Sequence, residues 1–69
     1  MTVYRVTEVV GTSTESWEAA ARSAVETAAA TVRDLRVAEV LRTDVTIENG
    51  QITSYRVRLA ISFKLESES

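Results

Sequence analysis

The chain of 69 residues contains no cysteine, no histidine and no proline, and only two glycines. Without cysteine there is no disulfide and no thiolate metal site. Without histidine, zinc fingers, histidine-based catalytic triads and imidazole ligation of haem are excluded. No apolar run approaches the ~18–20 residues that cross a bilayer. The N-terminal stretch lacks the apolar segment of a signal peptide, so the expected compartment is the cytoplasm. Nor does one sign of charge dominate. Ten acidic and eight basic residues give a net charge of −2 and a pI near 5.0, which supplies no electrostatic reason to bind DNA or RNA.

What is present describes a globular chain. Hydrophobic residues make up 45% and charged residues 26%, outside the range of disordered sequences. Residues 1–69 read as a single domain, near the lower limit of size for independent folding. A core this small rarely supplies more than about 3–5 kcal/mol, and small proteins usually add a staple. With disulfides and thiolate or imidazole metals excluded, self-association is the staple that remains.

Val3 to Val10 is rich in β-branched residues and reads as a first strand ending at Gly11. Thr12-Ser13-Thr14-Glu15 then reads as a helix start. Thr12 and Glu15 have capping-box spacing, and Ser13 is an equally good N-cap. Glu15 and Glu18 place negative charge near the positive end of the helix dipole. The helix is expected to reach about Val32 or Arg33, with Trp17, Ala21, Ala24, Val25, Ala28 and Val32 as its apolar stripe. Glu18–Arg22 and Arg22–Glu26 are spaced for ion pairs on the wet side. From Arg36 to Ile47 the period falls to two, although the pattern is mixed. Asn49-Gly50 between two strand patterns signals a type I′ hairpin. The third strand is the most regular: Tyr55, Val57, Leu59, Ile61, Phe63 and Leu65 share one face, and Ser54, Arg56, Arg58, Ala60, Ser62 and Lys64 the other. Glu66 to Ser69 are polar and read as a frayed end.

The fold class is thus α+β, in the order β-α-β-β. A right-handed crossover sets strands one and two parallel, and the hairpin makes strand three antiparallel to both. With the longest strand at the centre, the sheet is wholly antiparallel in the order 1-3-2, wrapped on one helix. Strand three, at about 3.3 Å per residue, extends ~45 Å. A helix of about nineteen residues covers only ~28 Å. Either the sheet curls tightly round its helix or a neighbouring chain covers the surplus. Oligomerisation is the reading taken.

The catalytic inventory is thin, and the chain reads as a protein that is not an enzyme. A nucleophile would have to be Ser or Thr activated by Lys or a carboxylate, yet the only lysine, Lys64, is remote from any serine-rich turn. No two acids share an apolar context suited to acid–base work. Gly11-Thr12-Ser13-Thr14 has an anion-binding arrangement but lacks the glycines and lysine of a P-loop. Ordinary N-capping accounts for it better. Trp17 suits core or interface better than a cofactor stack. The basic line Arg56, Arg58 and Lys64 suits interstrand pairing better than a nucleic-acid track. A metal site would need oxygen ligands alone, with Glu39, Asp44 and Glu48 as candidates. Their spacing is unlike an EF-hand, but a symmetric assembly could bring carboxylates from three chains to one axis.

Taken together, Val3-Tyr4-Arg5-Val6, Val10-Gly11-Thr12-Ser13, Ser16-Trp17-Glu18, the Ala-rich helix, Leu35-x-x-x-Glu39-Val40, Tyr55-Arg56-Val57 and Phe63-Lys64-Leu65-Glu66 resemble the dodecins. The resemblance spans nearly the whole chain and implies the dodecin fold. It also implies a hollow homododecamer of cubic symmetry built from trimers, and a role in flavin binding and storage (FMN or riboflavin) rather than catalysis. At the flavin positions the sequence departs from the pattern. The stacking Trp is replaced by Val37, the ring-edge Gln by Arg56, and a phosphate-side Arg by Asp44. Only Lys64 keeps its basic character. Three of four positions have therefore lost flavin chemistry, and the change to Asp44 is expected to repel phosphate and favour a cation. The Arg-Val-Ala run and Ser-Trp-Glu helix start resemble a Trp-lacking branch described as calcium-binding. Calcium or another hard cation is therefore the leading ligand expectation, with Asp44 first and Glu48 second as metal ligands. The alternatives are a repacked flavin site, a purely structural shell, and a shell holding another metabolite such as a coenzyme A fragment.

Overall fold

The computed structural model describes residues 2–65. Four elements follow one another: β1 (Tyr4–Ser13), α1 (Trp17–Ala29), β2 (Leu35–Glu48) and β3 (Gln51–Lys64). They form one antiparallel sheet in the order β1-β3-β2, as the hairpin and crossover arguments predict. Asn49 (φ 52°) and Gly50 (φ 76°) both occupy the left-handed region, the requirement of a type I′ turn. The polar end Glu66–Ser69 lies outside the described residues. Among the described residues no helix is long and apolar enough to cross a membrane.

The first strand runs past its expected end. Gly11 pairs with Val57, Thr12 with Arg56 and Ser13 with Tyr55, so Gly11 is an interior residue of β1. Its function is close approach. A Cβ there would collide with the Ala20 carbonyl oxygen and lie 2.8 Å from the Ala24 Cβ; only glycine lets the helix settle this deeply. Because the ladder occupies residues 12 and 13, the helix begins later than the capping box suggests. Ser16 is the N-cap, extended at φ −168°, and its Oγ accepts the Ala19 N–H at 3.0 Å. Ser13 Oγ instead accepts the Glu15 N–H at 2.9 Å within the connecting turn. Of the two early acids, only Glu18 lies in the first turn.

The helix also ends early, at Ala29, with Ala30 as its cap. Two β-branched residues, Thr31 and Val32, follow, and their N–H groups close the end on the Ala28 carbonyl. Asp34 then takes φ 61° to reverse the chain into β2, a conformation that Asp tolerates better than most residues. The expected Glu18–Arg22 and Arg22–Glu26 pairs do not form; the two ion pairs among the described residues lie on the sheet. Ordering two long exposed side chains costs about as much as such a contact returns.

The core is small: Val57, Leu59 and Ile61 of β3 against Ala20 and Ala24 of α1, with Val9, Ala21, Val25, Ala28 and Leu35 packed around them. Ala20, absent from the predicted stripe, is the most buried helix residue. Small helix side chains let the backbone lie close to the sheet. The thirteen-residue helix covers only ~20 Å of a molecule 55 Å long. It lies mainly over β1 and β3 and barely touches β2. Val37, Val40, Leu41 and Ile47 of β2 and Ile52 of β3 are left exposed.

Candidate functional site on the outer sheet face

Three register shifts in the β2–β3 ladder decide which β2 side chains face away from the helix. The first falls between Thr46 and Ile47, where Thr53 is the extra residue of β3. It sets Asp44 opposite Arg56 and Arg42 opposite Arg58. The Asp44 carboxylate accepts both a 2.8 Å bond from Arg56 Nε and a 3.0 Å bond from Arg56 Nη2, a bidentate fork. This hydrogen bond, together with the charges of Arg56, Arg42 and Arg58, holds the Asp44 carboxyl below its ordinary range against a weaker desolvation effect. Arg56 is held above its ordinary value by the same partner. Arg58 reaches Glu8 of β1 at 3.8 Å. The basic line read from the sequence is therefore largely engaged in cross-strand pairing.

On the other face, Trp17 fastens the start of α1 to β2. Its Nε1–H donates to the Asp44 carbonyl oxygen at 3.1 Å, and its ring meets Tyr55 edge-on, centroids 5.2 Å apart. Trp17 is thus a structural anchor at the rim of the core. Nearer the hairpin, Thr46 Oγ1 lies 2.7 Å from both Thr53 Oγ1 and Ser54 Oγ. This hydroxyl cluster stiffens the bulge beneath Asp44.

The sequence-predicted residues are not all brought together. Val37 is exposed and lies opposite Ser62, whose hydroxyl donates to its carbonyl at 3.3 Å. Lys64 lies two residues beyond Ser62. Arg56 lies six residues before Ser62, ~20 Å away along the strand. Val37 and Lys64 therefore share one end of the outer face, and Arg56 with Asp44 occupies its middle. Glu48 lies at the hairpin, opposite Gln51, four residues or ~13 Å of strand from Asp44. The two carboxylates hold separate places. Among the described residues no group of three Asp or Glu side chains gathers at one place. Arg42, which the sequence reading did not single out, lines the same depression as Asp44, Arg56 and Arg58. Its i,i+2 spacing to Asp44 was the available signal; its register against β3 was not.

An antiparallel sheet in the order 1-3-2 on one helix, with a charged outer face and exposed apolar residues on its edge strand, defines a small α+β protein of β-α-β-β topology. The family model described as Dodecin matches residues 3–66. The calcium dodecin of Mycobacterium tuberculosis is 43% identical over 65 residues, covering 94% of this chain and 92% of the relative. A crystal structure of that protein, described as a calcium-chelating antigen with a novel calcium-binding site, superposes with a TM-score of 0.82 over 97% of this chain and 96% of the other. The dodecin of Thermus thermophilus is 41% identical over 64 residues, 93% of each chain. The solved dodecin of Streptomyces coelicolor superposes with a TM-score of 0.90 at 43% identity, over 97% and 96% of the two chains. This chain belongs to the dodecin family.

Proposed function

We propose that the protein is a non-enzymatic binding and storage protein that works as a hollow shell of twelve copies, and that its ligand is a hard cation, calcium foremost. The observation that carries the assembly is β2, an edge strand that the helix barely touches: Val40, Leu41 and Ile47 are exposed, as is Val37 on the outer face. Exposed apolar area of this kind marks an interface, and a 69-residue chain gains from one. The cation reading is supported by the 43% identity to a protein named calcium dodecin and by carboxylates at positions 44 and 48. Each carboxylate offers one or two oxygens, and backbone carbonyls, water or copies related by a symmetry axis of the shell would supply the rest. Arg56 and its neighbours make the surroundings of Asp44 positive, whereas Glu48 forms no ion pair among the described residues. Glu48 is therefore the stronger ligand of the two.

Native mass spectrometry tests both parts. The expected species has twelve times the 7.6 kDa chain mass and, after calcium addition, retains metal that Glu48→Gln reduces. A monomer, or an assembly that gives no calcium heat by calorimetry at millimolar levels, overturns the reading. The flavin alternative is supported by the 41% identity to the dodecin of Thermus thermophilus. Val37, Arg56 and Asp44 offer the ring nothing to stack on and no amide edge, and only Lys64 suits the ligand. Visible absorbance in the purified protein would favour that alternative.

A further inference from the structure

The chain has one asparagine, Asn49, and a glycine follows it. The pair forms the turn between β2 and β3, with φ 52° at Asn49 and φ 76° at Gly50. Both residues are exposed, and a β-carbon at Gly50 would meet nothing within 4 Å. No neighbouring segment therefore screens the Gly50 nitrogen from water or from the Asn49 side chain. The hydroxyl bonds of Thr46 with Thr53 and Ser54 stop short of the turn, and among the described residues no side-chain hydrogen bond holds the Asn49 amide. The rung beside the turn is bare as well: Ile47 and Ile52, paired across it, are 64% and 55% exposed. A hairpin end without apolar packing opens locally at little cost.

We propose that Asn49 is a site of spontaneous modification, at which ring closure onto Gly50 converts the side-chain amide to a carboxylate. When the turn opens, the Gly50 nitrogen bonds to the Asn49 side-chain carbonyl carbon. The bond from that carbon to the amide nitrogen breaks, and ammonia leaves with the proton that Gly50 gives up. Water then opens the cyclic imide. Addition at the side-chain carbonyl yields aspartate, and addition at the main-chain carbonyl yields isoaspartate, with the chain routed through the side-chain carbon. Water is the only co-reactant. Asparagine is among the thermolabile residues, and glycine sets no β-carbon beside the attacking nitrogen. The two products differ in consequence. Aspartate keeps the turn, because Asp-Gly suits type I′ as Asn-Gly does. Isoaspartate adds a backbone carbon to the turn and slackens the Glu48–Gln51 rung. Either one sets a new negative charge beside Glu48. The step needs neither ligand nor assembly, so it stands or falls apart from the cation reading.

The test is to hold the purified protein in mildly alkaline buffer, cleave after arginine and follow the peptide 43–56 by mass spectrometry. That peptide carries Asn49 together with the only glutamine of the chain, Gln51, as an internal control. The expected result is an amide-to-acid mass gain that fragmentation places at residue 49 and not 51. It should appear in two chromatographic forms, with ammonia released in equal amount. In urea, where no turn constrains the chain, Gly50→Ala should slow the conversion about tenfold, equivalent to ~1.4 kcal/mol in the barrier. Conversion in the native protein that is slower than in urea, yet present, places turn opening before ring closure and supports the proposal. An Asn49 that stays intact in the native protein while it converts in urea overturns it. So does a gain at Gln51 instead, or a Gly50→Ala rate equal to that of the wild type.

Discussion

Leu59 and Val40 lie directly opposite each other in the sheet, yet Leu59 is 1% exposed and Val40 56%. The helix accounts for the difference. A single α1 is wide enough to cover β1 and β3, and Gly11 draws it further toward β1. The β1–β3 side is therefore held by apolar packing. β2 is held instead by polar fastenings: its ladder to β3, the Trp17 bond to the Asp44 carbonyl, the Asp44–Arg56 fork and the Thr46 hydroxyl cluster. One half of the sheet is a finished core. The other is left open to solvent.

The sharpest way to break this contrast is to trim both members of the Leu59–Val40 pair. Leu59→Ala should cost about 2–5 kcal/mol, at roughly 4–8 °C of Tm per kcal/mol for a domain of this size. Val40→Ala should stay within about 0.5 kcal/mol in a dissociated protomer while weakening association in analytical ultracentrifugation. Equal thermal losses in the two protomers would dissolve the distinction. Next in size is Gly11→Ala. The added methyl meets helix backbone rather than a flexible side chain, so α1 must lift, at a cost of about 1–3 kcal/mol by thermal unfolding.

The smallest effect concerns pH. Arg56 holds the Asp44 carboxyl below its ordinary range. The pair therefore stabilises the fold above the unfolded Asp value, and that contribution is lost as pH falls through the lowered one, in acid below about pH 4. Asp44→Asn should flatten the acid limb of the stability profile in that window alone. Unchanged acid behaviour would show that β2 is held by its other fastenings.

Element order, sheet order, the hairpin and the inward face of β3 were all legible in the sequence, because period-two alternation and an Asn-Gly turn report directly on backbone geometry. The helix ends were not. Thr12 has capping-box spacing, but β3 continues opposite it and the ladder claims the residue first. The outer-face site was half legible. A tight two-residue turn without irregularity would set Asp44 opposite Tyr55; the extra residue Thr53 moves it to Arg56. Bulges leave little trace in one sequence, so the Asp44–Arg56 fork and the Arg42–Arg58 opposition could not be read in advance. The bareness of β2 was anticipated only as a mismatch of lengths. The structure adds a mismatch of widths.

Trp17 is the only tryptophan in the chain, and it is 42% exposed where the covered and bare halves meet. All indole fluorescence therefore originates at that seam. Emission that moves to the blue reports burial of the ring, the change expected if the proposed assembly covers it. Emission that moves to the red reports the helix start letting go of the Asp44 carbonyl. The protein carries its own optical gauge of the boundary between the covered and bare halves of its sheet.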